Sequence, residues 1–270
     1  MINRNIINSI GDNFLISLSV GTMCDSICPY CDVNKLPQKI ADGFDLINAI
    51  EWFINSLRGK FNNFYIRITG GEIGFVPNLI RFFDYINLNS MIKEVDIFTK
   101  GDLFNVCNNE SLTKCNVYDH LIHNILKDKF IRYDSIPPPS SLFNLISIIE
   151  KRKEKCRKYL CVMVDDINID NNLRKNLVAK GIHFYPRINR ICDKVFTIDI
   201  SKINENEYLK CFHSKKYYVF DVAYGVFFNC CEVKDPSLGV TYDTLEEFFF
   251  CSDQSPYEQC KKCNRPNIDN

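Results

Sequence analysis

No stretch of the 270 residues is apolar for long enough to cross a bilayer, and the N-terminal run Met1-Ile-Asn-Arg-Asn-Ile-Ile-Asn lacks the apolar core of a secretory signal. A soluble, cytoplasmic chain with no membrane partner is the expectation. Charge of one sign is not in excess either: 33 lysines and arginines stand against 33 aspartates and glutamates. Without a basic field there is little to neutralise a phosphate backbone, so nucleic acid is not an expected partner. Low-complexity linkers and long internal repeats are missing as well. The four histidines, His120, His123, His183 and His213, show no metal-site spacing beyond the 120/123 pair. On a strand that pair would point to opposite faces, and all four read as structural.

What the chain has in quantity is cysteine, fourteen in all. In a small secreted chain this would mean disulfides. With no export signal, and at spacings that suit ligands, reduced thiols and metal are the better reading. Cys107, Cys115, Cys156, Cys161 and Cys192 read as small buried apolar residues. Three others fall in one tight loop, Cys24-Asp-Ser-Ile-Cys28-Pro-Tyr-Cys31. A cube of four irons and four sulfides needs thiolates converging from one turn, and a loop this short supplies three but not a fourth. One iron is then left open to hold a small chelating molecule and pass an electron into it. Zinc is the competing occupant, although structural zinc wants four closed ligands and usually draws them from two separated pairs.

Hydrophobic periodicity sets this loop in a repeating frame. Phe14, Ile16, Leu18 and Val20 alternate with Leu15, Ser17 and Ser19, which reads as a strand running into the cysteines. Phe44, Ile47, Ile50, Ile54 and Leu57 predict a helix over 44–58, with Asp42 or Asp45 to cap it. A strand from Phe64 to Thr69 ends at Gly70-Gly71-Glu72. A helix from Pro77 to Leu88 and a strand from Glu94 to Thr99, closing on Lys100-Gly101, repeat the unit. A fourth strand is expected within Val117 to Leu126, followed by Pro137-Pro138-Pro139, which excludes regular structure there. Leu142, Leu145, Ile146 and Ile149 mark a helix, Tyr159 to Val164 a fifth strand, Asn172 to Lys180 a helix stopped by Gly181, and Ile182 to Ile188 a sixth strand.

Strands alternating with helices imply a parallel sheet with right-handed crossovers. The fold expected is α/β, a partial (β/α)6 TIM-like barrel over residues 1–200. In such folds function gathers where the strands end. The cysteine loop, Gly70-Gly71-Glu72, Thr99-Lys100 and Asp165-Asp166 all directly follow strands. Polar strand positions at Ser17, Ser19, Arg67 and Thr69 suggest a lumen that holds a ligand, and a charge buried at Arg67 must be paired.

Residues 201–270 read as a small cysteine-rich lobe of hairpin plus helix. Tyr217 to Val222 and Val226 to Phe228 flank Ala223-Tyr224-Gly225 as a hairpin, and Asp243 begins a short helix over Thr244 to Phe250. Cys211, Cys230 and the Cys260/Cys263 pair can close a second metal site, with Cys231 and Cys251 near enough to compete as ligands. Zinc also suits such a closed set.

The triplet, with aromatic Tyr30 just before its last cysteine, resembles the signature of the radical-SAM superfamily. Gly70-Gly71-Glu72, one strand later, resembles the second motif of that family, and the C-terminal pattern resembles its twitch lobe, the short relative of SPASM. The seven-cysteine SPASM pattern is not met. The resemblance implies a [4Fe-4S] cluster on Cys24, Cys28 and Cys31 whose open iron takes the amino and carboxylate groups of S-adenosylmethionine. It implies that Tyr30 lies near the adenine, that Gly70, Gly71 and Glu72 border the methionine end, and that Thr99 and Lys100 are candidates for ribose or carboxylate contacts. It implies one auxiliary [4Fe-4S] cluster on Cys211, Cys230, Cys260 and Cys263, and a flavodoxin- or ferredoxin-type reductant.

The activity so implied is reductive cleavage of S-adenosylmethionine to a 5′-deoxyadenosyl radical, which abstracts hydrogen for oxidative modification of a ribosomally made peptide. Most relatives with such lobes work on peptides. The alternative is a small-molecule dehydrogenase oxidising a sugar or cyclitol alcohol. A non-catalytic, zinc-stabilised binding module is the alternative of another class. No catalytic acid or base is assigned.

Overall fold

The chain enters its sheet through two antiparallel strands, Ser9–Ile10 (β1) and Asn13–Ser19 (β2). The computed structural model describes residues 9–10, 12–25, 32–108, 110–119, 159–164, 179, 184–188, 218–228, 235–245 and 247. Asn63–Thr69 (β3), Ile92–Thr99 (β4), Cys115–Asp119 (β5), Tyr159–Val164 (β6) and Phe184–Ile188 (β7) follow β2. Each pairs in parallel with the strand before it, so the order across the sheet is the order along the chain. Helix Gly43–Leu57 (α1) joins β2 to β3, Leu79–Leu88 (α2) joins β3 to β4, and one turn, Leu103–Val106 (α3), follows β4. The result is a mixed α/β fold around six parallel strands. Pro186 falls in β7, at the end of the described sheet, where a missing N–H is tolerated.

The expected elements fall close to their observed bounds, with β4 and β5 starting earlier, at Ile92 and Cys115. The helix expected from Pro77 begins at Leu79 because Asn78 takes a left-handed conformation, φ 55°. Its amide donates to Asp42 Oδ2 at 2.8 Å, while Asp42 caps α1 through Phe44 N at 2.9 Å. Asp45 answers by accepting from Asp42 N at 3.1 Å, a capping box of the kind that stabilises a helix by about 1 kcal/mol. The helix expected over 142–149 and the proline block lie outside the described residues, as does the helix expected over 172–180 apart from residue 179, which is helical.

Strand alternation decides where the core sits. Phe14, Ile16 and Leu18, Phe64, Ile66 and Ile68, and Val95 and Ile97 form one buried cluster with Leu46, Ile50, Phe53 and Leu57 of α1 and Phe82, Phe83 and Ile86 of α2. Each such side chain contributes about 1.5–3 kcal/mol relative to exposure. The register aligns Ser17, Arg67, Asp96 and Asn116 in a polar row on the other face. Arg67 Nη2 lies 3.4 Å from Asp96 Oδ2, and Asn116 Nδ2 donates to Asp96 Oδ1 at 3.1 Å. The charge on Arg67 is therefore paired, as its half-buried position requires. One step further along the strands, Phe98 and Tyr118 stack at 4.7 Å.

Val219–Asp221 (β8) and Val226–Phe228 (β9) form the expected antiparallel hairpin. It continues the main sheet, because β8 pairs in parallel with β2 through Leu18–Phe220 and Ser19–Asp221. Pairing there covers an edge of β2 that would otherwise show bare N–H and C=O groups. Trp52 and Phe53 of α1 pack on Phe220 and Phe227 at ring separations of 6.0 to 6.2 Å. Thr244 Oγ1 accepts from Glu247 N at 3.1 Å, which caps the start of the expected final helix. Among the described residues, no helix is long and apolar enough to cross a membrane.

Candidate functional site

The exits of β2, β3 and β4 meet on one rim of the sheet. After Ser19 the chain runs through residues 20–23 to Cys24, alongside the segment that returns at 37–41. Thr22 N and Met23 N donate to Lys39 O at 2.8 and 3.1 Å, and Ala41 N donates to Val20 O at 2.9 Å. Gln38 braces this base from within: its Oε1 accepts from Cys24 N at 3.0 Å, and its Nε2 donates to Leu36 O at 2.9 Å and Val33 O at 3.2 Å. Cys24 is partly exposed. Cys28, Tyr30 and Cys31 lie outside the described residues.

The turn after β3 docks against this entry strand. Gly71 N donates to Gly21 O at 2.8 Å and Glu72 N donates to Met23 O at 2.9 Å. A Cβ on Gly71 would overlap the Met23 carbonyl. Gly70 has φ 112°, and a Cβ there would sit 2.7 Å from both Gly21 O and Ser19 Oγ. Glycine is required at both positions because backbone passes over backbone.

Glu72 then joins the exit of β3 to that of β4. Only 1% exposed, it accepts from Thr99 Oγ1 at 2.5 Å and Gly74 N at 3.0 Å through Oε1, and from Lys100 N at 2.7 Å through Oε2. Burial raises its pKa above the ordinary carboxylate value, and the three donors pull it back only in part. The Thr99 hydroxyl, 2% exposed, is thus engaged by Glu72, and Gly101 N donates to it at 2.9 Å.

Lys100 carries the rim back to the cysteine loop. Its ammonium is ion-paired with Asp25 and with Asp102, and lies 5.1 Å above the Phe75 ring. Burial lowers its pKa, but the Asp102 and Asp25 carboxylates outweigh burial and the net shift is upward. The ammonium therefore keeps its charge at neutral pH, beside the residue that follows Cys24.

The structure thus brings together Cys24, Gly70, Gly71, Glu72, Thr99 and Lys100. Asp165-Asp166, the four histidines, Cys211, Cys230, Cys231, Cys251, Cys260 and Cys263 lie outside the described residues. Cys107 and Cys115 are buried as expected, and burial pushes the Cys107 thiol up to about 12, so it stays neutral. Among the described residues no three cysteines, histidines or acids converge as a metal site. Sequence reasoning missed Asp25, Asp102 and Gln38. The two acids flank motif residues and were open to notice, whereas Gln38 carries no local signal, since its partners are set by how the loop closes. No family model matches this chain, and no curated protein matches it significantly.

Proposed function

We propose that the chain is a radical-SAM enzyme. The observation that carries this reading is the seating of Gly70-Gly71-Glu72 on Met23, the residue before Cys24, through a contact only glycine permits. Two motifs far apart in sequence thereby become one wall. Six parallel strands in sequence order support a partial (β/α)6 barrel for residues 1–200. Residues 201–270 are read as its auxiliary lobe.

The donor set in the sequence suits a [4Fe-4S] cluster: Cys24 is partly exposed, and Cys28 and Cys31 follow it at the spacing of three thiolates in one short segment. Held by Cys24, Cys28 and Cys31, the cluster with S-adenosylmethionine would supply one-electron reductive cleavage of the cofactor and, through it, hydrogen abstraction from substrate. This chain's residues do the positioning. Gly70 and Gly71 let the turn seat directly against the loop entry at Met23, at the border assigned to the methionine end, and Lys100 holds a positive charge beside the residue that follows Cys24. Glu72 and Thr99, engaged with each other, act on the ligand through the rim they fasten. Tyr30 is assigned to the adenine.

Cys211, Cys230, Cys260 and Cys263 would hold the auxiliary [4Fe-4S] cluster, which would supply an electron acceptor for the oxidation of substrate. A flavodoxin- or ferredoxin-type protein is the reductant. The substrate is a ribosomally made peptide. Arg67 and Asp96, the partly exposed members of the polar row, favour a second reading, a sugar or cyclitol alcohol, because a charged, hydrogen-bonding pair suits a hydroxyl-rich ligand.

The test is metal analysis of protein reconstituted without oxygen. About eight irons per chain, matched by sulfide, support two clusters. Zinc without iron overturns the enzyme in favour of a binding module.

A further inference from the structure

We infer that Asp221 and Tyr224, at the turn of the β8–β9 hairpin, are positioning residues for the cysteine loop. The inference rests on the reading of Cys24, Cys28 and Cys31 as cluster ligands, and it assigns to the C-terminal lobe a part in the first site.

Because β8 runs parallel to β2, Asp221 comes level with Ser19, the last residue of β2. The Asp221 carboxylate, 2% exposed, accepts from Ser19 Oγ at 2.7 Å and from Tyr224 N at 3.1 Å. Ser19 Oγ in turn accepts from Gly21 N at 3.2 Å, where the strand becomes the loop. The tight turn, closed by Gly225 N donating to Asp221 O at 2.8 Å, carries Tyr224 across the base of that loop. Its hydroxyl donates to Pro37 O at 2.7 Å and lies 3.1 Å from Thr22 Oγ1. Thr22 Oγ1 donates to the same carbonyl at 2.5 Å and accepts from Lys39 N at 3.1 Å. Lys39 Nζ lies 5.1 Å above the tyrosine ring.

One tyrosine thus bridges the outgoing arm of the loop at Thr22 and the returning arm at Pro37 and Lys39. Between them, Gly21 is packed so closely that a Cβ would overlap Lys39 O and come within 2.8 Å of Ala223 Cβ. Covering the edge of β2 needs none of this. Backbone pairing and the Phe220 and Phe227 contacts would suffice for that, and a buried carboxylate costs stability unless its bonds compensate. Both polar groups of the turn are instead spent on residues 19–22 and 37–39.

The test uses the full-length chain with Tyr224→Phe, which keeps the ring, and Asp221→Asn, with Ser19→Ala as a second route to the same link. In metal-free protein, amide hydrogen exchange is predicted to rise about tenfold at residues 21–24 and 38–41 and less than about twofold in β3 and β4. Unchanged exchange at the loop overturns the inference whatever metal the protein binds. In reconstituted protein, the variants are predicted to lose several-fold in affinity for S-adenosylmethionine and to change the electron paramagnetic resonance spectrum of the reduced first cluster. Faster loop exchange with wild-type affinity and spectrum also overturns it, by making the clasp one of fold alone. Faster loop exchange in a protein that takes up no iron supports the clasp and removes the cluster reading instead.

Discussion

The Lys100 ammonium at the end of β4 is ion-paired with the Asp25 carboxylate in the cysteine loop. The two ends of the pair differ in setting: the lysine side chain is 11% exposed and the aspartate 64%. Lys100 is also held by Asp102, so it is the anchored partner and Asp25 the replaceable one. The pair completes a circuit in which Gly71 ties β3 to the loop entry, Glu72 ties β3 to β4, and Lys100 ties β4 back to the loop.

If a ligand carboxylate takes the place of Asp25, Lys100→Met is expected to weaken S-adenosylmethionine binding about tenfold, which is ~1.4 kcal/mol. Asp25→Asn, which removes the competitor, is expected to leave affinity at or above wild type. Calorimetric titration of both variants checks this. Equal losses in the two would mean that the pair matters only for loop shape.

Gly71→Val is expected to displace Met23, because a Cβ at position 71 overlaps its carbonyl. Backbone and loop must then part, at a cost of about 1–3 kcal/mol in stability. Iron content and S-adenosylmethionine affinity are measured together. The expected outcome is retained iron with weakened affinity, and wild-type affinity would reduce the turn to punctuation.

Glu72 gives a pH dependence of defined sign. Its folded-state pKa lies above the ordinary 4.5, so the folded protein holds this proton more tightly than the unfolded chain. Its contribution to stability is fully present below about 4.5 and is lost as pH rises through the folded value. Glu72→Gln does not titrate. The stability advantage of wild type over this variant is therefore expected to widen as pH falls from neutrality towards 4.5, as read by denaturant unfolding. A gap that narrows on acidification would contradict the burial argument.

Replacing Cys260 and Cys263 together with serine is expected to lower iron from about eight to about four per chain. Cleavage of S-adenosylmethionine should persist while product formation fails. Wild-type protein with four irons and one zinc would make the lobe structural, and a redox-neutral rearrangement or epimerisation would become the better reading.

Much of this architecture was legible in the sequence because its elements are governed by local periodicity. The Phe14-Ile16-Leu18 and Phe64-Ile66-Ile68 alternations and the Asp42 cap each follow from residues within one turn or strand. The gathering of the cysteine loop, Gly70-Gly71-Glu72 and Thr99-Lys100 on one rim was legible too, since all follow strands of a parallel sheet. What sequence reasoning did not reach depends on contacts between distant segments. Glu72 and Thr99 looked like ligand contacts, yet they engage each other across neighbouring strands. The β8–β9 hairpin was visible from its turn, but its pairing with β2 was not, because Ser19 and Asp221 are 202 residues apart and neither carries a pairing signal.

The most direct measurement is 5′-deoxyadenosine formation by oxygen-free, reconstituted protein given S-adenosylmethionine and a strong reductant. The account predicts cleavage by wild type, and its loss to background in Cys24→Ala, Cys28→Ala and Cys31→Ala while the fold is retained. Undiminished cleavage in any of the three, or none in an iron-loaded wild type, would contradict it.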